Sequence, residues 1–205
     1  SKDAVTIRPF AFGYCADITS IVFEDSANAQ GKDFYLADAS NSAAALSTDM
    51  IFFGCESLES IALPVRLTSI GNYSLRTSNS NGGNVGLTSV TFDEGCRLTE
   101  IGDNAFYGAK IGSIVLPLGV TTIGATPFNS CSSLTDITLS QYTTAEQLSA
   151  IISGSAIKNI TIPEENENLS SVDGVVYDDG MTSLLFVLPE YEGDVEIPNT
   201  VTSIG

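Results

Sequence analysis

Residues 101–109 read IGDNAFYGA, and residues 123–131 read IGATPFNSC. Both open on Ile-Gly and place a Phe four residues after the Gly. A phrase repeated at so short an interval points to internal repetition, which governs how every other residue is read. Two more elements recur around it. L-x-x-I-x-L begins at Ile18, Leu58, Leu87, Ile111, Leu134 and Ile157, so the last three intervals are 24, 23 and 23 residues. V-T-x-I-G occurs as LTSIG at Leu67, LTEIG at Leu98, VTTIG at Val120 and VTSIG at Val201. The Phe phrase occurs as AFGYC at Ala11, IFFGC at Ile51, AFYGA at Ala105 and PFNSC at Pro127. YSLRTS, at 73–78, is a degenerate copy with Leu75 in the Phe position.

A period near 23 with apolar residues at fixed offsets marks a solenoid, whose coils bury their apolar faces only by stacking. Strand side chains alternate, so Ile137 and Leu139 of LTDITL point inward and Asp136 and Thr138 outward. The outward column reads Ser20/Val22, Ser60/Ala62, Ser89/Thr91, Ser113/Val115, Asp136/Thr138 and Asn159/Thr161. Small and β-branched residues in such a column suit a parallel sheet with one strand per coil. Gly102 and Gly124 read as permitting a tight bend. Phe12, Phe106 and Phe128 read as plugs of the coil interior.

The phrases LTSVTF, VTTIG, AFYGA and PFNSCSSLTDITLS resemble the BspA-like leucine-rich repeats of bacterial surface proteins, over roughly Phe10 to Gly205 with gaps. The expected fold is a leucine-rich repeat solenoid of α/β-horseshoe type. It is β-rich, with a parallel sheet of one strand per coil, a short helix and one β-hairpin insertion. Residues 1–205 are expected to form a single repeat domain, a fragment of a longer array, because VTSIG stops in mid-phrase. The resemblance implies a secreted or surface-exposed bacterial protein whose signal peptide is not in this chain, and an adhesive role toward an extracellular protein or glycan. A spacer or stalk within a larger surface protein is the alternative. A carbohydrate-active enzyme ranks below both.

Three stretches depart from the pattern. Residues 26–49, rich in Ala, Ser and Asn, read as a surface insertion with at most a helical turn. Residues 78–86, SNSNGGNVG, read as a second, shorter turn. In TTAEQLSAIISGSA, at 143–156, Leu148, Ile151 and Ile152 have helical spacing; Thr144 with Gln147 makes a capping box and Gly154 a stop. Ile152 then takes the place of Phe106. Finally, two apolar runs flank Asp179-Gly180, which predicts a hairpin within a module at 169–189. Similar modules containing DGV-Y lie between ordinary repeats in BspA-like proteins.

Composition narrows the chemistry. Eight Lys and Arg stand against 25 Asp and Glu, a formal charge of −17. Phosphate backbones and anionic membranes repel such a chain, so no nucleic-acid partner and no direct membrane insertion are expected. The chain has no His, which removes the commonest general base and metal ligand. No cofactor, metal or catalytic residue is assigned. Cys15, Cys55 and Cys131 share one slot with Ala109 and read as small buried residues. Cys96, in a turn, reads as the most exposed thiol. Asp173, Asp178 and Asp179 lack calcium-loop spacing and fit turn chemistry instead. Glu59 and Asp136 fall near the outward face, but nothing marks them as a glycosidase pair. The candidate binding face is therefore Ser60, Thr91, Ser113, Asp136, Thr138, Asn159 and Thr161.

Overall fold

The computed structural model describes residues 6–23, 33–36, 50–77 and 86–205. Each ordinary coil contributes two strands. L-x-x-I-x-L forms the first. β2 (Ser20–Val22), β4 (Ser60–Leu63) and β6 (Ser89–Phe92) pair in parallel with Ser20, Ser60 and Ser89 in register. β8 (Ser113–Val115), β10 (Asp136–Thr138) and β11 (Asn159–Thr161) do the same, with Ser113, Asp136 and Asn159 in register. V-T-x-I-G forms the second strand of the coil. β5 (Leu67–Ile70), β7 (Glu100–Ile101) and β9 (Thr122–Ile123) continue a parallel sheet begun by β1 (Thr6–Ile7) and β3 (Phe34–Leu36). The fold is the expected leucine-rich repeat solenoid, with a second strand in each ordinary coil besides the expected one.

The stacking accounts for residues the pattern repeats. Side chains such as Ile61, Leu63, Ile137 and Leu139 fill one core that runs from Ile21 to Val176. Phe106 stacks on Phe128 with ring centroids 4.9 Å apart, and Phe12 on Phe52 at 5.4 Å. Leu75, in the degenerate copy, is fully buried in the same layer. The recurrent Thr has a second role beyond β propensity. Thr68, Thr99 and Thr121 donate their hydroxyls to the carbonyls of Phe34, Thr68 and Thr99 at 3.2–3.3 Å, coil to coil. Beside the L-x-x-I-x-L strands, Thr88 donates to the Glu59 carbonyl at 3.3 Å, and the Thr135 hydroxyl oxygen stands 3.3 Å from the Gly112 carbonyl oxygen.

The corner phrase corrects one expectation. Gly102 and Gly124 do not make the bend. The left-handed residues are Asn104 (φ 51°) and Thr126 (φ 44°), two positions later, followed by Gly108 (φ 70°) and Ser130 (φ 63°). The Ile-Gly glycine is instead a place of close approach. A Cβ on Gly102 would stand 2.5 Å from Asn72 Oδ1 and 2.8 Å from its amide nitrogen. The room is used by side chains that tie the coils together. Asn72 Oδ1 accepts from the Asp103 N–H, and Asp103 Oδ1 from the Ala125 N–H, both at 2.7 Å.

Within 26–49 the structure describes only 33–36, and there the chain is a strand. Phe34 and Leu36 are buried while Tyr35 between them is half-buried, and β3 lies between β1 and β5. Its F-Y-L alternation carries the repeat without the V-T-x-I-G wording. The rest of that stretch, and residues 78–85, lie outside the described residues.

The helix α1 (Ala145–Ile152) has the expected capping box: Thr144 Oγ1 accepts from the Gln147 N–H, and Gln147 Oε1 from the Thr144 N–H. Gln147 Nε2 also donates to the Thr121 carbonyl at 2.8 Å, which ties α1 to the coil of β9. Ser155 N–H donates to Ile152 O as Cys131 N–H does to Phe128 O, so Ile152 holds the Phe position. The deeper plug is nevertheless its neighbour Ile151, which is fully buried.

The module at 169–189 has two turns rather than one. β12 (Leu169–Val172), β13 (Val175–Asp178) and β14 (Ser183–Val187) form an antiparallel meander. The first turn is Asp173-Gly174, both at positive φ (48° and 79°), as a tight hairpin requires. The second turn follows Asp178, whose carboxylate accepts from the Thr182 and Ser183 N–H groups and the Thr182 hydroxyl at 2.6–2.8 Å. β15 (Ser203–Ile204) then docks in parallel on β14, and Thr202 donates to Thr182 O at 3.4 Å. MTSL at Met181 is thus a disguised copy of the V-T-x-I-G strand.

Candidate binding face

Alternation places the outward column where the pattern predicts it. Ser89, Thr91, Ser113, Asp136, Asn159 and Thr161 are exposed, and Ser60 and Thr138 are half-buried. Asp136 lies between Ser113 and Asn159. Its Oδ2 accepts from the Thr135 hydroxyl at 2.6 Å and its Oδ1 from Asn159 Nδ2 at 2.9 Å. These bonds, the Thr135 hydroxyl first, hold its carboxyl below the ordinary aspartate value of 3.8. Asp136 is therefore a fixed anionic acceptor in a row of small hydroxyl and methyl groups.

The face is not one surface. Ser60 and Thr91 stand on the β2–β4–β6 sheet, whereas Ser113, Asp136, Thr138, Asn159 and Thr161 stand on the β8–β10–β11 sheet. No strand pairing joins β6 to β8, and a cleft of about 710 Å3 opens between them. Its walls include Val90, Phe92, Cys96, Ser113, Val115 and Leu118. Gly112 stands where the neighbouring coils carry Thr88 and Thr135, so the hydroxyl tie is missing. Pro117 stands where Asp93 donates its N–H to Leu63 O at 2.9 Å, and proline has no N–H to give. Pro64 and Pro163 hold the same place beside β4 and β11, which stay paired although Glu59 and Lys158 likewise stand where Thr88 and Thr135 carry a hydroxyl.

The shared small slot is filled as packing demands. All four cysteines are reduced, and none is joined to another in a disulfide. Cys55 and Cys131 are fully buried with Ala109, while Cys15, at the outer coil, is half-buried. The Cys55 and Cys131 thiols donate to the carbonyls of Phe12 and Phe106 at 2.9 and 3.1 Å, one coil back. Burial pushes the Cys131 thiol up to about 12. Cys96 is half-buried, with Sγ 3.6 Å from the Pro64 carbonyl oxygen. Glu59 and Asp136 belong to strands of different sheets and form no pair. Among the described residues, no group of three or more Cys, Asp and Glu is placed to hold a metal ion.

A second surface feature has no counterpart in the sequence reading. Phe10, Tyr14, Phe53, Tyr73 and Tyr107 line the outer corner, with Phe53 5.9 Å from Phe10 and 5.6 Å from Tyr14 by ring centroid. The Arg76 guanidinium stands 5.0 Å from the Tyr107 ring centre and 5.9 Å from that of Phe53. The signal was present: Phe53 and Tyr107 both follow the buried Phe of their phrase.

Three parallel sheets and a corner column define a repeat scaffold, and the comparisons place it. The chain belongs to the family of BspA type leucine rich repeat regions, whose model matches six copies over residues 38–84 and 48–172. Among solved structures, the pneumococcal vaccine antigen PcpA is similar over 97% of this chain and 53% of its own, with 16% identity and a TM-score of 0.63. A leucine-rich repeat protein from Bacteroides ovatus is similar over 77% of this chain and 34% of its own, with 24% identity and a TM-score of 0.54. This chain thus spans about half the length of the first and a third of the second. None of the curated proteins matches it. No helix among the described residues is long and apolar enough to cross a membrane.

Proposed function

We propose that this chain is a surface-exposed, non-catalytic protein-binding module of a bacterium. The observation that carries the reading is the outward strand face: small, hydroxyl-bearing and rigidly held, with Asp136 fixed at its centre. A repeated face of this kind fits a macromolecule better than a small substrate. Family membership supports the same role, and the similarity to a protein described as a vaccine antigen supports surface exposure. The partner is an extracellular protein or glycan. Among proteins, a charge of −17 favours basic ones and makes their association faster at low salt.

The test is binding of the whole chain to a panel of extracellular matrix proteins and glycans at micromolar concentration. The reading expects at least one to be retained, with weaker retention at higher salt and after Asp136→Ala or Thr161→Ala. If nothing is retained, or the retained partners ignore both substitutions, the face is not the site.

A further inference from the structure

We propose that the cleft between β6 and β8 is a strand-insertion site, which takes an extended, basic peptide segment of another protein as an added β-strand. In a parallel pair, alternate residues turn their N–H and C=O groups to opposite sides. The N–H groups of Ser89 and Asp93 donate to Glu59 and Leu63 of the β4 coil at 3.1 and 2.9 Å. Val90 and Phe92 therefore turn theirs to the cleft. On the opposite wall, Leu116 N–H donates to Thr138 O and Gly112 O accepts from Asp136 N–H. Ser113 and Val115 therefore turn theirs to the cleft as well. Two strand edges face each other with no ladder between them, and the backbone groups of such edges are those that an added strand pairs with.

The gap is bounded. Lys110 N–H donates to Leu87 O at 2.8 Å at one end, and Thr121 N–H to Thr99 O at 3.0 Å near the other. An inserted strand needs two strand spacings of about 4.8 Å. A volume of about 710 Å3 lies within the usual range for a ligand cleft. Phe92, Val115 and Leu118 offer apolar contact for alternate side chains of the insert, and Leu118 and Val115 are already 48% and 66% exposed. Among the described residues the walls hold Asp93 and no Lys or Arg, so cationic residues flanking the inserted segment are favoured. The proposal rests on the protein-binding reading, but its contacts are backbone edges rather than the outward side chains.

The experiment uses the whole chain, immobilised, to capture peptides from a random decapeptide pool; captured peptides are resynthesised and mapped by residue-resolved hydrogen exchange. In the free protein the amides of Val90, Phe92, Ser113 and Val115 exchange fast. Bound peptide slows all four, and N-methylation of alternate peptide nitrogens weakens binding about tenfold per blocked N–H. Ser113→Pro, which removes one unpaired donor, also weakens binding; the N-methylated peptides decide the matter should that variant misfold. Protection of the four amides in the free protein would mean that β6 and β8 pair directly, which overturns the proposal. So would a pool that yields no binder, or binders that leave those amides unchanged. Binders sensitive only to Asp136→Ala and Thr161→Ala would keep the outward face and remove the cleft.

Discussion

Gly124→Ala is the substitution on which the corner geometry stakes most. A Cβ there would stand 2.6 Å from the Asp103 amide nitrogen and 2.7 Å from the Gly102 carbonyl carbon, and it would overlap Asp103 Oδ1. Two of these three atoms are backbone, so no side-chain rotation relieves the clash. Overpacking of this kind costs about 1–3 kcal/mol. The methyl group also displaces the Asp103 carboxylate from the Ala125 N–H, a hydrogen bond to a charged group worth about 1.5 kcal/mol at an exposed position. The sum is about 2.5–4.5 kcal/mol. Urea unfolding followed by circular dichroism should show a midpoint lowered by about 1–2 M for a slope near 2 kcal/mol/M. Gly112→Ala is the control. Its Cβ would meet nothing within 4 Å, so its midpoint should match or slightly exceed that of the parent. Equal midpoints for Gly124→Ala and Gly112→Ala would refute the close-approach account.

Three other outcomes follow from the same structure. Ser130 holds a left-handed corner (φ 63°) that Gly54, Gly108 and Gly154 hold in other coils, so Ser130→Gly should raise stability by about 0.5–1 kcal/mol in urea unfolding. The Cys131 thiol is raised from 9.0 to about 12, so above pH 9 the unfolded chain releases a proton that the fold retains. Stability should therefore be whole below pH 9 and fall toward pH 12, and Cys131→Ala should flatten that fall in unfolding midpoints measured across the range. The Asp178 carboxyl is held below 3.8, first by the Thr182 hydroxyl and then by the Ser183 N–H. Its contribution is whole above pH 3.8 and lost as pH falls through the lowered value. Carboxyl titration by NMR should place its midpoint under 3.8, and Asp178→Asn should weaken that acid dependence.

Whatever depends on period was legible in the sequence. The strand face, the Phe plugs and the small slot of Cys55, Ala109 and Cys131 recur at fixed offsets, and stacking turns offset into position. The helix was legible for a different reason: its capping box is local. What escaped depends on contacts between coils. The clash that requires Gly102 involves Asn72, 30 residues earlier, so the residue type was visible and its cause was not. β3 escaped because Phe34 and Leu36 meet the core without the repeat wording. The Asp173-Gly174 turn and the MTSL strand were masked by the stronger Asp179-Gly180 signal beside them. The cleft escaped because β6 and β8 carry the same phrase as the strands that do pair. The binding face was legible as a list of outward residues, but not as two separate surfaces.

Residue-resolved hydrogen exchange of the free protein tests the central claim, that the repeated phrase encodes coil-to-coil hydrogen bonds at each corner. The amides of Asn104, Phe106 and Gly108, which donate to Ala125, Pro127 and Asn129 at 2.8–3.0 Å, should be strongly protected although they lie in turns. Exchange of these three at the rate of unstructured loop amides would contradict the stacking from which the whole account is built.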